Sequence, residues 1–337
     1  MSSFIPEEIM FDILTRLPAK SLSRLRCVSK SWNNLIKNPH FLKLQLNHSL
    51  KYGEHGIVYN CESCDGKICC VDYDSSSSRL SNSVVHIDYP LDHKTGNRII
   101  DSCNGLVCYL SSQKEIMIWN PFTKDYRKLS TPPKPDLDPS YVYDFYSYSK
   151  YGFGYDSKTD DYKFARMVKC PGSSTEISVY SLKLNLWKTY RDIPFLLPFN
   201  GGLVLFQGIF HWVGDRSRNI EISRDFPRGF KLPKIIGCLD TGSETFKEIP
   251  LPQHFAELFG IFVCVLGGFL YIIGFRYVNI GSEAWMMKDY GVHESWTKMF
   301  NIRETSSNLV GAGCLNLKHY FKSGVILVQV DNGRCLL

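Results

Sequence analysis

The side chains able to do chemistry in this 337-residue chain are scattered, and their spacing argues against catalysis. There is no Gly-x-Ser-x-Gly nucleophile turn, no Gly-x-x-x-x-Gly-Lys phosphate loop and no His-Glu-x-x-His helix. His211 adjoins Trp212 in a strand-like apolar run, which suits a histidine held by structural hydrogen bonds better than a general base. Asp160 and Asp161 are neighbours, and neighbouring strand positions point to opposite faces. They read as solvated carboxylates of a turn, not as a paired acid and base. Twelve cysteines are present, clustered only at Cys61-x-x-Cys64 with Cys69-Cys70. A zinc site needs four convergent ligands, and adjacent strand cysteines diverge. The expectation is a protein with no catalytic residues, no metal and no cofactor.

Two stretches have the composition of a recognition surface instead. Tyr141, Tyr143, Phe145, Tyr146, Tyr148, Tyr151, Phe153 and Tyr155 fall within fifteen residues. Those left exposed would favour contact with protein, because aromatics are enriched in such interfaces; alternate ones fit a strand core equally well. Arg216, Arg218, Arg224, Arg228 and Lys231 make a basic connection, suited to an acidic target or simply to water. The candidate target-binding residues are therefore Tyr141, Tyr143, Tyr146, Tyr148, Arg216, Arg218 and Arg224.

The elements that would position these residues are hairpins. From Asp101 onward a large residue, a polar one and, six positions later, an aromatic followed by a basic residue recur. Trp119-Asn120 leads to Tyr126-Arg127, Tyr155-Asp156 to Tyr162-Lys163, Tyr180-Ser181 to Trp187-Lys188, and Leu239-Asp240 to Phe246-Lys247. Each holds turn chemistry between two strands, so the aromatic should begin the returning strand and pack across it. Glycine-led strands at Asn104-Gly105, Gly201-Gly202 and Gly267-Gly268 precede several hairpins, as if backbones approached closely near an axis. Repeated four-strand units predict propeller blades near 101–130, 151–194, 199–252 and 260–302, with another from about 307; a β-sandwich would use the same hairpins. Residues 47–100 are polar and irregular, a linker with first strands at 67–71 and 83–88.

The beginning of the chain differs in kind. Pro6 can open a helix, Glu7 and Glu8 suit its dipole, and Ile9, Ile13, Leu14 and Leu17 form one stripe before Pro18 stops it. Leu22, Leu25 and Val28 follow on a second helix. Ser29 is placed to cap a third carrying Trp32, Leu35 and Ile36, and Asn38-Pro39 starts a last turn or two to Leu46. A unit this small is near the lower limit for its own core. Its apolar residues either pack on the following domain or wait for a partner.

The formal net charge is +6, and residues 1–50 hold seven Lys/Arg against three Asp/Glu, so most of the excess lies on the helices. That fits a solvated face steering an acidic partner better than a phosphate-tracking stripe. No basic n-region precedes an apolar segment, and the longest apolar run, 260–275, is short for a membrane span and split by Gly267-Gly268. Neither nucleic acid nor membrane is expected as a partner. Reduced cysteines and cytoplasmic or nuclear residence are expected.

Two resemblances sharpen this. Pro6-Glu7-Glu8-Ile9, Ile13-Leu14-x-x-Leu17-Pro18, Ser21-Leu22, Arg24, Cys27-Val28-Ser29-Lys30-x-Trp32 and Leu35-Ile36 resemble the F-box, with Ile5-Pro6 where many F-boxes have Leu-Pro. The resemblance implies docking onto the Skp-type adaptor of a cullin-RING ubiquitin ligase. By that carry-over, Pro6, Ile9, Leu14, Leu17, Pro18, Leu22, Leu25, Val28 and Trp32 would contact the adaptor or support that face. Over about 98–335, Asp101-Ser102-Cys103-Asn104-Gly105-Leu106-Val107, Trp119-Asn120-Pro121, Gly152-Phe153-Gly154-Tyr155-Asp156, Gly208-x-Phe210-His211-Trp212 and Trp285-Met286-Met287-Lys288-Asp289-Tyr290-Gly291-Val292 resemble the kelch-like F-box-associated domain of plant F-box proteins.

The expected class is thus α+β and multidomain. An F-box spans 1–46, a linker and first strands 47–100, and an all-β, kelch-like propeller 101–337, short of a final hairpin at the C-terminus. The implied role is a substrate receptor that joins an adaptor, and through it a cullin and a RING protein, to a target protein. A propeller binding protein or lectin-like module acting outside a ligase is the alternative.

Overall fold

The structure, a computed structural model, describes residues 6–52, 55–60, 68–74, 79–87, 89–90, 97–121, 123–134, 149–168, 175–194, 201–215, 234–252, 255, 258, 260–275, 282–302, 315–320, 326–330 and 334–336. Four helices open it: α1 (Glu7–Thr15), α2 (Ala19–Leu25), α3 (Lys30–Lys37) and α4 (Pro39–Tyr52). Local chemistry sets their ends. Pro6 and Pro18 occupy the N-cap positions of α1 and α2, where the missing N–H costs nothing. Ser29 Oγ accepts from the Trp32 amide at 3.1 Å and caps α3, while Asn38 Oδ1 accepts from the His40 amide at 2.8 Å ahead of α4. The fourth helix runs on to Tyr52, past the last turn expected to stop at Leu46. The helices enclose their own core of Leu14, Leu22, Ile36 and Phe41, with Phe11, Leu17, Leu25 and Trp32 packed against it.

Among the described residues, twenty-two strands follow in six antiparallel meanders. The first is β1 (His55–Asn60), β2 (Ile68–Asp74) and β3 (Arg79–Ile87). Four four-stranded sheets come next. They are β4 (Arg98–Cys103), β5 (Leu106–Leu110), β6 (Ile116–Trp119), β7 (Tyr126–Lys128); β8 (Ser149–Asp156), β9 (Asp161–Val168), β10 (Glu176–Ser181), β11 (Leu186–Tyr190); β12 (Val204–Phe206), β13 (Ile209–Asp215), β14 (Lys234–Asp240), β15 (Thr245–Pro250); and β16 (Gly260–Leu266), β17 (Phe269–Phe275), β18 (Ser282–Met287), β19 (Trp296–Ile302). The last is β20 (Leu315–Tyr320), β21 (Ile326–Val330) and β22 (Arg334–Leu336).

The opening strands β1, β4, β8, β12, β16 and β20 neighbour one another in that order, and β1 also meets β22. Sheets stacked radially around their first strands make a propeller, not a sandwich. Within 47–100 the described residues supply the end of α4, the first sheet and the start of β4.

The repeated hairpins are in the register their sequence implies. Trp119 pairs with Tyr126, Tyr155 with Tyr162, Tyr180 with Trp187, and Leu239 with Phe246. The returning strands also tie neighbouring four-stranded sheets together. Trp187 Nε1 donates to Ser130 O of the preceding blade at 3.1 Å, and Trp296 Nε1 donates to Pro250 O at 3.2 Å. Arg127 reaches forward to Leu182 O and Asn185 Oδ1 of the next blade at 3.1 and 2.8 Å, and Lys188 pairs with Glu244.

Two expectations are corrected. Gly105, Gly267 and Gly268 carry positive φ in open turns, with nothing within 4 Å of an added Cβ, so they serve turn geometry and not close approach. Close approach does occur at Gly202 of the Gly201-Gly202 pair, where a Cβ would stand 2.9 Å from Tyr151 O, and at Gly152, where it would stand 2.3 Å from Leu203 O. Asp161 is not solvated: it is buried and accepts from the Lys183 amide at 2.8 Å and from Ser181 Oγ. Asp160 is the exposed member of that pair.

Candidate adaptor-binding and target-binding surfaces

The helical module sorts its apolar residues into two sets. Leu14 and Leu22 are 2% and 4% exposed, inside the module's core. Of the two roles expected for them, contact or support, their packing against Ile36 and Phe41 fits support. Leu17, Leu25 and Trp32 are half-buried against that core. Pro6, Ile9, Pro18 and Val28 face solvent, with Ile9 at 53% and Val28 at 61% exposure. Ile13, one turn beyond Ile9 on α1, joins them at 48%. It belonged to the stripe read from the sequence but not to the docking set, although the i, i+4 spacing from Ile9 signalled it.

The sequence reading missed Leu42 and Leu50 on α4, both largely exposed. With Leu46 between them they repeat every four residues, a spacing legible in the sequence. Exposed apolar groups collected on one small module are the mark of a protein-binding surface. Basic residues of the same module, Lys20, Arg24 and Lys30, are exposed as well, whereas Arg26 is drawn inward, its Nε donating to Asn33 Oδ1 at 3.2 Å and so joining α2 to α3.

The propeller has two unlike ends. In each four-stranded meander the first-to-second and third-to-fourth turns share one end, the turn end. The second-to-third connections and blade-to-blade links share the other, the linker end. The helical module touches the turn end: Arg26 lies 3.5 Å from both Asp125 Oδ2 and Thr123 O in the β6–β7 turn, and Lys43 Nζ lies 3.3 Å from Asp160 Oδ1 in the β8–β9 turn. The Tyr155 hydroxyl and the Lys43 ammonium both hold Asp160 below the usual carboxylate range. The candidates Tyr141, Tyr143, Tyr146 and Tyr148, and Arg216, Arg218 and Arg224, lie outside the described residues. The strand ends flanking them, from β7 to β8 and from β13 to β14, are at the linker end.

The motif residues of the later blades have structural work. His211 is fully buried, and its Nε2 lies 2.7 Å from the Tyr290 hydroxyl across two blades. Burial pushes the His211 pKa down to about 4, leaving the ring neutral at ordinary pH. Asp156 accepts from Lys163 Nζ at 2.7 Å, Thr159 Oγ1 at 2.8 Å and the Lys158 amide at 3.0 Å. Burial alone would raise its pKa, but these donors outweigh it and the net shift is downward.

Comparison with known families settles the kinship. The F-box domain model matches residues 3–44, and the F-box associated beta propeller domain model matches residues 57–328. The chain belongs to the plant F-box proteins with an associated propeller domain. Among its Arabidopsis thaliana relatives, F-box protein CPR1 is 30% identical over 330 residues, covering 90% of this chain and 74% of CPR1. F-box/kelch-repeat protein At3g23880 is 28% identical, covering 98% of this chain and 89% of the relative. F-box protein At4g22390 is 26% identical over 90% of this chain and 75% of its own length. The F-box thus coincides with α1–α4 up to the middle of the last helix, and the associated domain takes in β1–β3 as well as the blades after them. An F-box implies a Skp-type adaptor as partner.

Proposed function

We propose that this F-box protein is the substrate-recognition subunit of a Skp-cullin-F-box ubiquitin ligase. It binds the Skp-type adaptor through its F-box, and through the adaptor a cullin and a RING protein. The linker end of the propeller holds a target protein for ubiquitination and proteasomal degradation. The subunit does no bond chemistry itself; it supplies proximity between target and charged enzyme. It works in the cytoplasm or nucleus.

The observation that carries the reading is the exposure of Ile9, Ile13 and Val28 on a module that encloses Leu14, Leu22, Ile36 and Phe41 in its own core. Burying each such side chain against a partner contributes about 1.5–3 kcal/mol. Pro6 and Pro18 border the same helix ends, and Leu17, Leu25 and Trp32 support the surface from beneath. Tyr141, Tyr143, Tyr146, Tyr148, Arg216, Arg218 and Arg224 remain the proposed target contacts.

The test is capture of a Skp-type adaptor by the full chain. Wild type should retain it, and Ile9→Glu with Val28→Glu should release it while the fold, read by circular dichroism, is unchanged. Equal capture by both would overturn the assignment. Targets come from affinity purification, and a true target should accumulate when cullin activity is blocked.

A further inference from the structure

Among the described residues, the F-box and the propeller share no hydrophobic cluster. Among the described residues, Leu14, Leu22, Ile36 and Phe41 and the apolar side chains packed on them all belong to α1–α4. The remaining clusters are drawn from the sheets and their connections alone. Across the boundary, among the described residues, two basic side chains of the F-box reach acidic ones of the propeller. Arg26, only 17% exposed in its side chain, sits with its Nη1 3.5 Å from Asp125 Oδ2 and 3.5 Å from Thr123 O. Its Nε is meanwhile held by Asn33 of the F-box at 3.2 Å. Lys43 reaches Asp160 at 3.3 Å, and Asp160 is itself steadied by the Tyr155 hydroxyl.

We infer that these contacts form an electrostatic latch that fixes the angle between F-box and propeller and can be released by salt or by charge change. The geometry favours this. The chain passes from α4 to β1 at the first sheet, Arg26 lands on the second, and Lys43 lands on the third. Three attachment points on three successive sheets are enough to set an orientation, whereas the chain link alone would leave a swivel. Asp125 and Asp160 are 70% and 62% exposed, so each contact is individually weak and screened by salt. Tethering makes the two together effective, because the second closes at a high effective concentration once the first is made. On the ligase-receptor reading, the latch would set where a held target stands relative to the ubiquitin-charged enzyme. That consequence rests on the receptor assignment; the latch itself does not.

The experiment is single-molecule energy transfer on the full chain, with dyes on genetically encoded reactive residues at the exposed positions Ser31 and Gln113. Wild type in low salt should give one narrow distance distribution, broadening in 1 M NaCl. Arg26→Glu with Lys43→Glu should broaden it in low salt, with the docked population falling several-fold. Adding Asp125→Arg to Arg26→Glu, with Lys43 kept, should restore the narrow peak. Asp125→Arg alone, at an exposed turn position, tests the same contact should Arg26→Glu disturb the helices. A distribution unmoved by the reversals or by salt, or a pair swap that restores nothing, would overturn the latch. Adaptor capture by the same variants should stay at the wild-type level. Failure of adaptor capture by wild type would strike the receptor reading and leave the distance result standing.

Discussion

Lys163 Nζ lies 2.7 Å from Asp156 Oδ2, and the same ammonium lies 2.7 Å from Thr241 Oγ1 of the following blade. One buried cation therefore joins the β8–β9 hairpin to the β14–β15 turn, and Thr241 passes the linkage on by donating to Gly208 O at 3.2 Å. Lys163→Met should cost about 3–5 kcal/mol, because it strands a buried carboxylate. Asp156→Asn with Lys163→Met should recover much of that loss. Urea unfolding of the full chain checks both. Asp156 titrates lower in the fold than unfolded, so its contribution is present above the ordinary carboxylate range and lost as pH falls through the lower, native value.

His211 gives the domain a second and higher acid sensitivity. Its pKa is about 4 in the fold against 6.5 unfolded, so the unfolded chain binds the extra proton between those values. Stability should be fully present above about pH 6.5 and decline as pH falls toward 4. Melting temperature measured from pH 7.5 to 4.5 should show this slope in wild type and a flatter one in His211→Phe. Tyr290→Phe should cost about 1–3 kcal/mol by removing the buried ring's partner.

Gly152 and Gly105 should respond differently to the same change. Gly152→Ala drives a methyl into Leu203 O, a backbone atom of the adjoining blade that cannot step aside. Loss of soluble protein or destabilisation above about 3 kcal/mol is expected, beyond ordinary overpacking. Gly105→Ala meets open space but must hold φ near +77°, a strain of about 1–2 kcal/mol. Expression yield and melting temperature of the two variants side by side decide it.

Leu14→Ala and Val28→Ala separate scaffold from surface within the F-box. Leu14→Ala should destabilise the module by about 2–5 kcal/mol, since the side chain is enclosed. Val28→Ala should change stability by less than about 0.5 kcal/mol and instead weaken adaptor binding, because Val28 is 61% exposed. Adaptor titration by calorimetry, paired with thermal unfolding, tests whether the two effects divide this way.

The helix boundaries and the hairpin register were legible because each is written in a local signal. Pro6, Pro18, Ser29 and Asn38 mark helix starts without help from distant residues, and the large–polar–aromatic spacing places Trp119 opposite Tyr126 across one turn. What could not be read locally depends on which surfaces meet. Nothing near Leu14 or Leu22 distinguishes them from Ile9 or Val28; only the folding of α3 and α4 over one side of the stripe separates core from surface. The role of Gly152 is invisible for the same reason, since its crowding comes from Leu203, about fifty residues on. The first sheet was undervalued because residues 47–100 carry few of the alternating apolar positions that announce strands.

The ties that run from Trp187 back to Ser130 and from Arg127 forward to Asn185 have an evolutionary reach. A receptor that must track changing targets needs parts that vary freely and parts that do not. Here the blade-crossing ties involve the third-to-fourth hairpins and the residues after them, so a substitution in one repeat is felt in its neighbour and must be matched there. The second-to-third connections bear no such obligation in these ties. New specificities should therefore arise by diversifying those connections, while gain or loss of a whole repeat would require two coordinated repairs.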